Sequence, residues 1–156
     1  MIFLHIIYHC VGGAHSSPTA AAIHLNMLPQ DRIPSVSDLL HIPFYDTLET
    51  VDRGTIFLRG IDEYGNHIYN FSRQFIPHLM LPALLDLWEV LGENKEDILF
   101  VNTMPCVNIW MKIGGFSSRR LKWVRFGRPI VAKGTVLAYN NLVKLVQETK
   151  HRCINQ

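Results

Sequence analysis

The sequence predicts an α/β fold, a three-layer sandwich built on a mainly parallel sheet, and three observations carry that expectation. The chain opens on an apolar run, "MIFLHIIYHC", of the kind that is covered on both faces in a parallel sheet. Glycines then lead directly into an alanine-rich stretch with helical character. A second apolar run, "DILFVN", follows a long apolar helix. Strands alternating with helices favour a sheet with helices packed on it. With no internal repeat and no low-complexity linker, a single domain over residues 1–156 is expected.

Each element has its own signal. Residues 2–9 read as the first strand. Ser17 is expected to cap the first helix, with Pro18 at its first position and "TAAAIHLNM" carrying it on. The proline-punctuated segment that follows leaves room for one short helix, Val36–His41. "GTIFLRGIDEYGNHIYNF" reads as two strands around a turn at Glu63–Asn66, an inserted β-hairpin. "IPHLMLPALLDLWEVLG" is a helix apolar on most faces, hence expected to be well buried, and it ends at Gly92. "CVNIWMKIGGFSSRRL" reads as a short helix broken at Gly114–Gly115 and resuming near Arg119. "KWVRFGRPIV" is read as one or two short strands. Thr135 then caps a last helix whose Ala138, Leu142, Leu145 and Val146 share a face.

Composition narrows the function. Hydrophobic residues at 48% and charged residues at 18% exclude a disordered chain. The first apolar run has no basic n-region, is followed by glycines and histidine instead of a cleavage site, and is too short to span a bilayer. Cys10, Cys106 and Cys153 contain no C-x-x-C pair, which argues against a disulfide framework or a standard zinc module. A cytoplasmic protein without a membrane span is expected.

Charge is divided unevenly. Residues 1–97 hold 5 Lys/Arg and 12 Asp/Glu, whereas residues 98–156 hold 10 Lys/Arg and the single acid Glu148. An anion is the natural partner of that basic half: a nucleotide, a phosphorylated metabolite, RNA, or an acidic surface of this chain or of another.

The stretch "HCVGGAHSSPTAAAIHL" carries the strongest chemical signal. A helix N-terminus offers unpaired N–H groups and the positive end of the macrodipole. Gly12 and Gly13 let the backbone curl so that the amides from Gly12 through Ala14 to Ser17 converge on one anion. Ser16 and Ser17 add hydroxyls, and His15 is a candidate proton carrier near neutral pH. The strand–loop–helix unit also lies where ligands bind in such sheets, beyond the strand C-termini. The nucleotide P-loop requires G-x-x-x-x-G-K-[S/T], and no lysine precedes Lys95. A divergent nucleotide-binding enzyme would need arginines from elsewhere in the chain.

The same stretch resembles the phosphate loop of low-molecular-weight tyrosine phosphatases and related arsenate reductases, C-x-G-N-x-C-R-S-P-x-A-E-A. Cys10, Gly12, Ser17, Pro18, Ala20 and Ala22 fall on matching positions. The resemblance implies that Cys10 is a nucleophile attacking phosphorus as a thiolate. Ser16 stands where that family has its phosphate-gripping arginine, and no Asp-Pro dipeptide marks a general-acid loop. Over a longer span, "YHCVGGAHSSPTAAAIHL", "GIDEYGNHIY", "CVNIWMKIGGFSSRR" and "GRPIVAKGT" resemble an uncharacterised family of short proteins from spore-forming Firmicutes, a domain of unknown function. That resemblance implies no activity.

Arg119 and Arg120 in "IGGFSSRR" are candidates to close over an anion in place of the missing arginine, and Arg128 and Lys133 are weaker ones. Asp62 and Glu63 read as solvated turn acids. His24 reads as a packed or solvated helix residue, and no metal site is expected. Trp110, Trp123 and Phe126 interleave with basic residues as on RNA-binding surfaces, although core packing is the expected role for most of them. The leading expectation is therefore a protein that binds a phosphate-bearing small molecule at Cys10–Ser17, with Cys10 and His15 the candidates for phosphoryl chemistry. The competing one is a non-enzymatic interaction protein whose basic half binds RNA or an acidic partner. The sequence names no cofactor.

Overall fold

The structure, a computed structural model, describes residues 3–119 and 124–154. Four strands form one sheet: β1 (His5–Cys10), β2 (Ile56–Ile61), β3 (His67–Ser72) and β4 (Ile98–Asn102), in the order β2-β3-β1-β4. Strand β1 is central and parallel to both neighbours, with Cys10 beside Ser72 and His9 beside Asn102. Strand β2 is the antiparallel partner of β3, the expected hairpin, with a register irregularity between Leu58 and Gly60. The α/β class and the mainly parallel sheet are as the sequence predicts.

Helix α1 (Ser16–His24), the short α2 (Val36–Leu40) and the long α5 (Val124–Ile154) cover one face of the sheet. There Ile6, Tyr8 and Ile68 meet Ala20, Ile23, Leu142 and Val146 in the main core. Ala138, Leu142 and Val146 are buried, as their shared face predicts. Helix α3 (Pro77–Val90) lies on the other face, over an apolar hollow of about 180 Å³ lined by Ile7, Tyr69, Leu84, Trp88 and Ile98 among others. The chain leaves β1 for β3 over one face and returns to β4 over the other. β1 is therefore a topological switch point, and the crevice beyond its carboxyl end is the favoured ligand position.

Several sequence expectations are corrected. No residue of α3 is buried. Helix α4 (Ile109–Arg119) runs unbroken through Gly114 and Gly115. A Cβ on Gly114 would overlap the backbone of Val131, so this glycine permits a close helix crossing instead of a break. The stretch read as short strands is helical from Val124 onward, and Thr135 lies inside α5, where its hydroxyl bonds the Val131 carbonyl one turn back. Helix α1 starts two residues early, with His15 at the N-cap and no side-chain capping bond.

Asp62 is buried, not solvated. Its carboxylate accepts from the amides of Tyr64 and Asn66 and from His24 Nε2, while His24 Nδ1 is 2.7 Å from Tyr8 Oη. Trp110 and Phe126 are exposed, not packed in the core. Trp123 lies outside the described residues.

Adding a methyl group at a helix crossing this close is overpacking, which costs about 1–3 kcal/mol. Gly114→Ala is therefore expected to lower the thermal midpoint by several degrees, measured by circular dichroism. An unchanged midpoint would mean that α4 and α5 do not cross there.

Candidate functional site

The loop between β1 and α1 is held from below by the end of β3. Gly13 has φ +66°, and a Cβ there would stand 2.8 Å from Ser72 Cβ and 3.0 Å from Leu48 Cδ1. Only glycine fits. Asn70 Nδ2 donates to the Gly13 carbonyl at 2.8 Å, and Asn70 Oδ1 accepts from Arg59 Nε. The Ser72 hydroxyl and Gln74 Nε2 both donate to the Val11 carbonyl. The Arg73 amide donates to the Cys10 carbonyl, so the strand end and the loop are stitched together.

Inside the loop, the Gly13 amide donates to Cys10 Sγ at 3.1 Å, and Ser17 Oγ lies 3.2 Å from the same sulfur. Cys10 is 5% exposed. Ser16 is turned towards β4. The Thr103 hydroxyl donates to the His9 carbonyl, so in the 2.8 Å contact between Ser16 and Thr103 the serine must be the donor. Its proton is committed to the scaffold.

The backbone amides are different. Among the described residues, those of Gly12, Ala14, His15, Ser16 and Ser17 donate to no acceptor in the protein, and the first bond of the helix comes from Thr19 to His15. Three of these five residues, Ala14, Ser16 and Ser17, are buried.

Asp46 closes the far side of the loop. Its amide donates to the Ala14 carbonyl at 2.8 Å, its Oδ1 lies 2.8 Å from His15 Nε2, and its Oδ2 lies 3.5 Å from Arg128 Nε. The carboxylate side chain is fully buried. Helix α4 passes the loop at Gly115, beside the His15 ring. The structure thus brings Cys10, Gly12, Gly13, Ala14, His15, Ser16 and Ser17 together in the loop at the carboxyl end of β1, with Arg128 joined to it through Asp46. Arg119 ends α4, with its side chain outside the described set, and Arg120 lies outside the described residues.

Sequence reasoning missed Asp46, Asn70, Ser72 and Thr103. Asn70 was the one with a signal, as a polar residue at an inward position of "HIYNFS". Among the described residues, no group of three or more His, Cys, Asp and Glu could hold a metal ion.

The family model described as "Protein of unknown function (DUF3189)" matches residues 5–151. The chain belongs to that family. No curated protein and no solved structure matches it. The matched span of the DUF3189 chain contains the whole crevice, from Cys10 to Arg128.

Two buried histidines give the DUF3189 chain a pH signature. Burial, reinforced by the Arg73 charge, pushes His9 down from 6.5 to about 4. Burial also lowers His24, against the opposing pull of Asp62. Both groups bind protons more readily unfolded than folded, so stability is full above pH 6.5 and is lost as pH falls from there towards 4. The lowered carboxyl of Asp62 adds its own loss only below its ordinary value of 3.8. Urea midpoints are expected to fall steadily between pH 6.5 and 4.5, with a shallower slope in His9→Gln. A flat profile would refute the assignment.

Proposed function

We propose that the Cys10–Ser17 loop binds the oxyanion of a phosphate-bearing small molecule. The observation that carries this reading is the set of unpaired amides of Gly12, Ala14, His15, Ser16 and Ser17 at the N-terminus of α1, those of Ala14, Ser16 and Ser17 on buried residues. Buried backbone donors without acceptors are rare, and each costs about 1–3 kcal/mol when left unsatisfied. An oxyanion accepts several such bonds at once and is favoured by the helix dipole. Arg128, 38% exposed beside Asp46, is a described cation of the loop's ion-pair network, and Arg119 and Arg120 are further candidates.

Cys10 at the base of the loop extends the proposal to covalent chemistry. Its sulfur would form a bond to phosphorus as the bond from phosphorus to the leaving oxygen breaks. The leaving oxygen would take a proton from His15, and water would then hydrolyse the thiophosphate. Asp46 occupies Nε2 of His15, which leaves Nδ1 for proton exchange, since that atom makes no hydrogen bond among the described residues.

The second reading, an interaction protein that binds RNA or an acidic partner, is favoured by the exposure of Trp110 and Phe126 beside the exposed cations Lys112 and Arg125. Salt-sensitive association that survives combined Gly12→Val and Ser16→Ala changes would support it. Magnesium-dependent ATP or GTP binding would instead support a divergent nucleotide enzyme.

The test is thermal unfolding against phosphate, arsenate, sulfate, nucleotides and sugar phosphates. A ligand at one hundred times its Kd stabilises by about 2.7 kcal/mol. Wild type and Cys10→Ser are both expected to gain that stability with at least one anion. Gly12→Val, whose new side chain enters open space at the loop mouth, is expected to keep the basal midpoint and lose the gain. No gain with any anion sinks the proposal. Turnover of a phosphate ester by wild type and not by Cys10→Ser tests the covalent extension.

A further inference from the structure

We infer that this chain associates with a second copy of itself, the acid-rimmed apolar face of α3 in one copy docking on the basic apolar face of α4 in the other. Helix α3 has only three polar residues in fourteen, His78, Asp86 and Glu89, yet none of its residues is buried. Leu79, Leu87 and Val90 are 61%, 53% and 82% exposed. Leu79 and Val90 fall with Ala83 at helical spacing on one side of α3, whereas Leu87 also lines the hollow over the sheet. Asp86 and Glu89 lie on the helix, and Glu93, Glu96 and Asp97 follow it in the chain; against these five acids stands one cation, Lys95, which bridges Asp86 and Glu89.

The matching surface lies on α4. Ile109, Ile113 and Phe116 fall at i, i+4 and i+7 and are 60%, 46% and 51% exposed. Trp110 borders them, and Lys112 is exposed on the same helix. Residues 98–147 contain no acidic side chain, so nothing on this segment offsets its cations.

The two stripes are alike in apolar character and opposite in charge. Pairing α3 with α3 would set one acidic rim against another, and pairing α4 with α4 would do the same with cations. Like-charge juxtaposition of that kind suppresses both arrangements, whereas α3 on α4 is complementary.

Sedimentation of the intact chain over a concentration series, at low and high salt, tests the inference. The mass is expected to rise to at least twice that of the chain with concentration, and to fall back at high salt as the charged rims are screened. Val90→Lys and Ile113→Glu alter exposed positions, so each variant should keep its circular dichroism spectrum and sediment as a monomer. An equimolar mixture of the two should regain a pair, because the intact α3 of one meets the intact α4 of the other. A wild type that is monomeric throughout overturns the inference. So does association retained by both variants, or a folded mixture that stays monomeric. Association that needs an added oligonucleotide would assign the α4 face to nucleic acid and overturn it as well.

Discussion

The crevice depends on one close approach, that of Gly13 to the end of β3. A side chain at residue 13 would press into Ser72, and the left-handed backbone there would be strained for any other residue. Because that approach is possible, Asn70 and Ser72 can reach the carbonyls of Gly13 and Val11. With its carbonyls fixed to β3, the loop directs one amide at the Cys10 sulfur and leaves its neighbours unpaired. The helix that follows starts without a side-chain cap. The usual capping candidates, Ser16 and Ser17, are drawn off to Thr103 and Cys10. A cap would satisfy the first-turn amides internally, so its absence preserves the capacity of the loop to take an anion.

The elements that were legible in the sequence are those whose pattern reflects local physics. A continuous apolar run identifies a parallel strand, and turn residues between two alternating stretches identify the hairpin. The misread elements are those in which a tertiary contact reverses the local meaning of a residue. Gly114 weakens a helix in isolation, but here its bare α-carbon lets α4 lie against Val131. Pro129 and the glycines of "FGRPIVAKGT" suggested interruption, yet α5 runs through them with this part packed on α4, Val131 against Gly114 and Gly134 against Met111. Helix α3 shows the opposite failure. Its apolar composition signalled burial, but composition does not reveal which of its two apolar sides the fold will cover.

The site was legible only in part, for a related reason. Residues 10 to 17 are contiguous, so their chemistry is visible as a string. Their supports are not contiguous. Asp46 lies 31 positions from His15, and Thr103 lies 87 positions from Ser16. Asp62 was misread because a turn acid is normally solvated, whereas this one must accept both the hairpin amides and a buried imidazole. His24 is packed, one of the two roles its helix position suggested, while its partner arrives from the hairpin 38 positions away.

Asp46 sets the electrostatics of the crevice. It is the acid that the loop and the basic helical hairpin share, and its buried carboxylate faces an imidazole on one oxygen and a guanidinium on the other. Removing a partner from such a buried group strands the remaining charge, which ties the loop, the Asp46 turn and α5 into one unit. The charge count then has a definite sign. Asp46 and Arg128 cancel, so the trio is neutral with His15 unprotonated and carries one positive charge with His15 protonated. In neither state does it oppose an anion. The positive end of α1 therefore acts at the loop without a competing negative charge from this trio, and the cations of the acid-free segment add to it. An acid in the middle of a basic half would ordinarily weaken the case for an anion site. Placed here, it organises the loop while Arg128 offsets its charge.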